Sequence, residues 1–153
     1  MSARRSAGMA AMVVVVLGLW GCATMGTETK SGSASLYKRL GGREGIAQVV
    51  DQFVANVVAD DRINARFKTL QPAQVFKLRS NLADQICDAT GGPCSYLGKD
   101  MKAAHKDMKI TEAEWNATVE NLGKALDKHK VGAKEKQELV GILAPMKGDI
   151  VNQ

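Results

Sequence analysis

The sequence predicts an all-α domain beginning near Ser35, and three observations predict it. Four segments space their apolar residues three and four apart, which lines one face of a helix. Glycine pairs at Gly41–Gly42 and Gly91–Gly92 separate such segments, as chain punctuation does. No stretch alternates apolar and polar residues in the manner of a half-buried strand, and Ala, Val, Leu and Lys dominate a chain with 5% aromatics and three prolines. At 153 residues the chain is about one domain's worth.

The elements follow in order. "SLYKRLGG" reads as a short helix opening at Ser35 and stopped by Gly41 and Gly42. In "REGIAQVVDQFVANVVADD", residues Ile46, Val49, Val50, Phe53 and Val57 form one stripe on a helix of about four turns. "RINARF" makes a short turn or helix ending at Phe67. "PAQVFKLRSNLADQICDAT" places Pro72 in a first turn, which proline favours, and Val75, Leu78, Leu82 and Ile86 on its buried face. Thr111 with Glu114 three residues later is a capping box, so a well-marked helix start follows. Trp115, Val119, Leu122 and Leu126 line its inner face, and His129 falls near its end, where a cationic or solvated side chain suits the helix dipole. A last helix is expected from about Ala133 to Val151, kinked at Pro145.

The amino terminus reads as an address. "MSARRSAGMAAMVVVVLGLWGC" has a basic start at Arg4 and Arg5 and an apolar core from about Met9 to Leu19, too short to span a bilayer comfortably, so residues 1–21 are expected to be a cleaved signal peptide. Leu19, then Gly21 directly before Cys22, is the pattern of a bacterial lipoprotein cleavage site, although Trp20 is a bulky occupant of the position between them. The chemistry needs a small residue before the cut and a thiol to carry diacylglycerol, and more than one acyl chain gives stable anchoring. Ordinary cleavage near Ala23 or an uncleaved anchor are the alternatives. Residues 22–34 are small and polar, a tether with a reach on the order of 20 Å, and residues 35–153 are the folded domain. Ala23 after the cysteine points to the outer membrane and a periplasm-facing protein. Loss of the leader leaves 19 basic against 16 acidic residues, scattered rather than clustered, so nucleic-acid binding has no support. With Cys22 lipidated, Cys87 and Cys94 remain, flanking "DATGGP". In an oxidising compartment a disulfide and a buried pair of free thiols both fit them.

The remaining chemistry-bearing residue is His105, in "GKDMKAAHKDMKIT". On spacing alone, a single His beside a helix is more commonly a solvated or core residue than a ligand. The chain holds no phosphate-binding glycine loop, no nucleophile motif and no flavin or nicotinamide site. Taken together, however, "LYKRLGG", "VVDQFVANVVADDRINARF", "ATGGPCSYLGKDMKAAHKDMKIT" and "ILAPMK" resemble the group 1 truncated haemoglobins, in the family's order and over almost all of Ser35 to Val151. That resemblance implies a two-over-two helical sandwich, a shortened globin, enclosing a haem.

By the same resemblance His105 is the proximal ligand of the haem iron, with the porphyrin supplying the other four nitrogens. Phe67 takes the haem-stacking position, Phe53 faces the haem and Trp115 packs beneath its proximal side. Met101, Met108 and Ile110 supply apolar walls, and Leu78 and Leu82 face the ligand side. Well-studied members carry a tyrosine directly after that phenylalanine, and often glutamine or histidine on the next long helix. Here Val54, Leu78 and Leu82 stand instead, with only Asn81 and Gln85 offering polar groups nearby. The absence of Cys-x-x-Cys-His points to haem b bound non-covalently. The expected function is reversible binding of a diatomic gas: oxygen, or else nitric oxide or carbon monoxide. The rivals are a nitric-oxide dioxygenase fed by an unidentified reductase, and a haem electron carrier or sensor with Cys87 and Cys94 as a thiol switch.

Overall fold

The computed structural model describes residues 34–153. The predicted signal peptide, the lipidation site at Cys22 and all but the last residue of the tether lie outside the described residues. Within them the domain is helical, as expected. Its elements are α1 (Leu36–Arg39), α2 (Gly42–Ala59), a turn of 3-10 helix (Asn64–Arg66), α3 (Pro72–Ala89), α4 (Met101–His105), α5 (Glu112–Lys128), α6 (Ala133–Leu143) and a closing 3-10 segment (Ala144–Asp149).

Helix α2 is the centre of the packing. It lies against α3 on one side and α5 on the other, while α1 packs across α2 and α6. Its 18 residues make about five turns against the four or so expected, and it starts at Gly42 directly after Gly41, whose φ of 86° no L side chain adopts readily. Ile46, Val49, Val50, Val54 and Val57 are buried on it. The first four pack with Ile86 of α3, Leu126 of α5 and Leu139 of α6 into the main core, while Val57 joins a second cluster with Ile63 and Ala117. Val54 thus belongs to the sealed face, whereas Phe53, expected on the buried stripe, is only half-buried between two clusters.

Two elements differ from the expectation. His105, for which no helix of its own was expected, ends one, α4, which Asp100 caps by accepting the Ala103 N–H at 2.8 Å. The last helix does not run kinked to Val151. It stops at Leu143 and tightens into 3-10 geometry at Ala144–Asp149, since Pro145 supplies no N–H to an α-helical ladder. The chain beyond it turns back on the segment after His105. Ile110 and Val151 form an isolated parallel bridge, with Asn152 N–H donating to the Ile110 carbonyl at 2.9 Å and Lys109 N–H to the Gln153 carbonyl at 2.8 Å.

The Gly91–Gly92 turn is built by close approach. A Cβ on Gly92 would stand 2.5 Å from Cys87 Sγ and 2.6 Å from the Tyr37 ring, so only glycine lets α1 dock there. Tyr37 N–H donates to the Thr90 carbonyl at 3.0 Å, fastening α1 to the end of α3. Across the same turn Cys87 and Cys94 form a disulfide, with Cα atoms 5.8 Å apart.

Candidate functional site

His105 is half-buried, and its environment sets which nitrogen is available. Nδ1 lies 2.8 Å from the Met101 carbonyl, one turn back on α4. A carbonyl oxygen can only accept, so the proton resides on Nδ1 and the lone pair on Nε2. This is the tautomer a metal ligand needs, oriented by its other nitrogen. Among the described residues no group of three or more His, Cys, Asp or Glu could hold a metal ion. A metal at His105 would therefore need its other ligands from a cofactor, as haem provides.

The apolar surface around the site fits such a cofactor. Along α3, Ala83, Ile86 and Cys87 are buried, but Val75, Leu78 and Leu82 on the same stripe are only half-covered. Phe53 and Phe67 from the α2 end, Trp115 from α5 and Ile142 from α6 are half-covered as well. Apolar surface left in water costs about 25 cal/mol per Å², so a stripe sealed at one end and half-open along the rest is a cradle for a further apolar body. Two cavities among the described residues lie elsewhere. One, of about 10 Å³ among Leu40, Ile46 and Leu126, is too small for a ligand. The other, of about 310 Å³, is lined by Asn56, Asp60, Arg62, Asn121 and Lys124. Its polar groups bond to one another: Arg62 to Asp60 and Glu120, Asn121 to Asp60, and Asn56 to the Asn121 carbonyl. The Arg62 and Asn121 hydrogen bonds hold the Asp60 carboxyl far below the usual carboxylate range. That cluster is a structural brace.

The remaining expected site residues divide. Met101, on α4, is half-buried beside His105. Met108 is 36% exposed and Ile110 has its own packing partner in Val151. Asn81 is half-buried on α3. Gln85 is engaged: its Nε2 lies 3.3 Å from Met101 Sδ and 3.5 Å from Met146 Sδ, tying α3 to α4 and to the closing 3-10 segment. Periodicity did not single out Met146 as a neighbour of the site, because the 3-10 segment that presents it breaks the helical phase.

Residues absent from the expected site hold its rim. Arg66 forks onto Glu114 at 2.7 and 3.2 Å and donates to the Met108 carbonyl at 2.9 Å. The Arg66 guanidinium, foremost, with the Thr111 N–H and hydroxyl, holds the Glu114 carboxyl down at about 2. The capping box at Thr111–Glu114 is present as read, with Glu114 Oε2 accepting the Thr111 N–H at 2.8 Å. His129 is the C-cap of α5 and takes no part.

Comparison with known proteins places this geometry. The family model described as "Bacterial-like globin" matches residues 35–152. A group 1 truncated haemoglobin of Chlamydomonas moewusii is 33% identical over 133 residues, covering 85% of this chain and 75% of the relative. One from Mycolicibacterium paratuberculosis is 30% identical over 121 residues, covering 79% of this chain and 87% of the relative. Among solved structures, the 2/2 haemoglobin of a Synechococcus species, with covalently attached haem, superposes with a TM-score of 0.71 at 31% identity, covering 78% of this chain and all of that one. The truncated haemoglobin of Tetrahymena pyriformis in its Fe(III) form gives a TM-score of 0.72 at 27% identity, with 78% and 99% covered.

Proposed function

The chain belongs to the bacterial-like globin family, and from that premise we propose that it is an exported haem protein binding a diatomic gas reversibly at iron held by His105. Its fold is the truncated globin sandwich of its relatives, and the family implies a haem cofactor and gas binding. The observation that carries the residue assignment is the His105 Nδ1 bond to the Met101 carbonyl, which leaves the Nε2 lone pair available to a metal.

When bound, haem would supply the iron that takes the gas. The side chains have separate tasks around it. His105 would hold the iron, and Phe53, Phe67 and Trp115 would give the ring apolar contact. At the ligand-side positions the resemblance gives them, Val54, Leu78 and Leu82 would offer no hydrogen-bond donor to a bound gas. Gln85, held by two thioethers, closes the gap between α3 and α4. The missing Cys-x-x-Cys-His, which leaves no thioether attachment, supports haem b held without a covalent link; the covalent attachment in the Synechococcus protein is that protein's property. Extraction of haem into acidified organic solvent tests this directly. Export is supported by the Cys87–Cys94 bond, which oxidising compartments favour, and by the leader and Cys22 in the sequence.

The test of the ligand assignment is the absorption spectrum in ferric, ferrous and carbon monoxide-bound forms. His105→Ala should lose the five-coordinate ferrous spectrum and most of its haem on gel filtration, whereas His129→Ala should match wild type. A wild-type ferrous spectrum in His105→Ala would overturn the assignment.

A further inference from the structure

Arg66 closes the 3-10 turn that leads into Phe67, and its guanidinium is engaged on three sides. Nε and Nη2 fork onto Glu114 while Nη1 donates to the Met108 carbonyl at 2.9 Å. Met108 in turn donates its N–H to the His105 carbonyl at 3.0 Å. One residue, three positions past His105, therefore receives Arg66 on its carbonyl and holds His105 with its amide.

The turn containing Met108 is not a relaxed one. Asp107 has φ of 63° and Lys109 of 49°, the left-handed region that side-chain-bearing residues enter at a cost. Such a conformation persists only where surrounding bonds hold it. The far end is held by Lys109 and Ile110 pairing with residues 151–153. The middle is held by Arg66. Were it released, the turn would relax from the point where it leaves α4, which is His105 itself.

We propose that Arg66 is a positioning residue for His105, fixing the 106–109 turn through Met108 and thereby the direction in which the imidazole is presented. The inference rests on the reading of His105 as the iron ligand. The guanidinium suits the task because it is a rigid planar fork: it makes two near-parallel bonds to Glu114 and still points a third N–H at a carbonyl. A lysine ammonium cannot do all three at once. Because Phe67 follows Arg66 in the chain, one side chain links the ring-stacking corner to the segment that bears the proximal histidine.

The experiment compares haem-loaded wild type, Arg66→Gln and Arg66→Lys, with His105→Ala mixed with one equivalent of haem as the control for the ligand assignment. The readout is the iron–histidine stretching band of the gas-free ferrous protein by resonance Raman. Both Arg66 variants should shift or broaden the band, Arg66→Lys less than Arg66→Gln. In haem-free protein, Arg66→Gln should speed amide exchange at Met108 by roughly tenfold, about what losing one hydrogen bond to a charged group allows, and leave α2 and α3 amides unchanged. A lower denaturation midpoint with an unshifted band and unchanged Met108 exchange would make Arg66 merely structural and overturn the proposal. Absence of the band from wild type, with His105→Ala spectrally identical, would instead overturn the ligand assignment, so the two failures are distinguishable.

Discussion

Val54 is 3% exposed, with its side chain in the main core cluster, and it stands where the resembling family carries a tyrosine. A phenol there can donate to a partly negative oxygen ligand, and carbon monoxide gains much less from such a donor. One neutral hydrogen bond is worth about 0.5–1.5 kcal/mol net, and about 1.4 kcal/mol is a factor of ten. Val54→Tyr should therefore slow oxygen release several-fold while changing carbon monoxide release much less, measured by stopped flow on the ferrous protein. Equal slowing of both gases would mean that the tyrosine acts by bulk alone. Glu114 gives a pH signature at the same scale. Its carboxyl is held down at about 2, against an ordinary value of 4.5, chiefly by Arg66. A depressed carboxylate pKa contributes stability that is present above the ordinary value and lost as pH falls through the folded value. Glu114→Gln should thus be less stable than wild type in urea at pH 5 to 7, and the gap should close between about pH 4.5 and 2; a gap independent of pH would assign the loss to packing. Of these residues the sequence made the capping role of Glu114 legible, because Ser/Thr-x-x-Glu is a local pattern. Its bond to Arg66 spans 48 positions and leaves no periodic trace. His105 is intermediate: unremarkable by spacing, and identified only through the string around it.

Element starts and stops were the most legible part of the fold, since caps and glycines act over a few residues. Ser35, Pro72 and Thr111 all lie at the helix starts read from them. The end of the last helix was misread because a proline inside an apolar pattern fits either a kink or a change to 3-10 geometry, and periodicity is blind to which. The five-residue α4 was missed because five residues carry little more than one turn of pattern. The α3–α4 connection was legible in outline, as a turn between two cysteines. There the structure adds the bond itself, and next to it Arg43 Nη1, 3.1 Å from Cys94 Sγ and 2.7 Å from Asp84 Oδ1. Closing so short a loop should contribute roughly 2–3 kcal/mol through the unfolded state. Cys87→Ser with Cys94→Ser should therefore lower unfolding stability by about that amount, with the helical content intact. Alkylation and mass measurement with and without reductant on protein taken from the periplasm checks the bond, and two freely alkylated thiols would refute it.

Across the whole chain, we propose an address and a tether ahead of the globin domain. The family match begins at residue 35, where the polar stretch after Cys22 ends, and no described helix is long and apolar enough to cross a membrane. Phe76 and Leu97, 75% and 92% exposed, are single side chains on separate segments. The proposed attachment is at Cys22, and a tether with a reach on the order of 20 Å would keep the domain near the lipid without ordering it there. The expectation is that the protein, made in a bacterium with lipoprotein processing, sediments with membranes and incorporates labelled fatty acid. Cys22→Ser should abolish the label. Its haem spectrum should stay that of wild type, because every residue proposed to hold haem lies at or beyond Phe53. Equal fatty-acid labelling of Cys22→Ser would place the modification elsewhere, and an unlabelled wild type recovered in the soluble periplasm would mean that the leader is simply cleaved and the globin released.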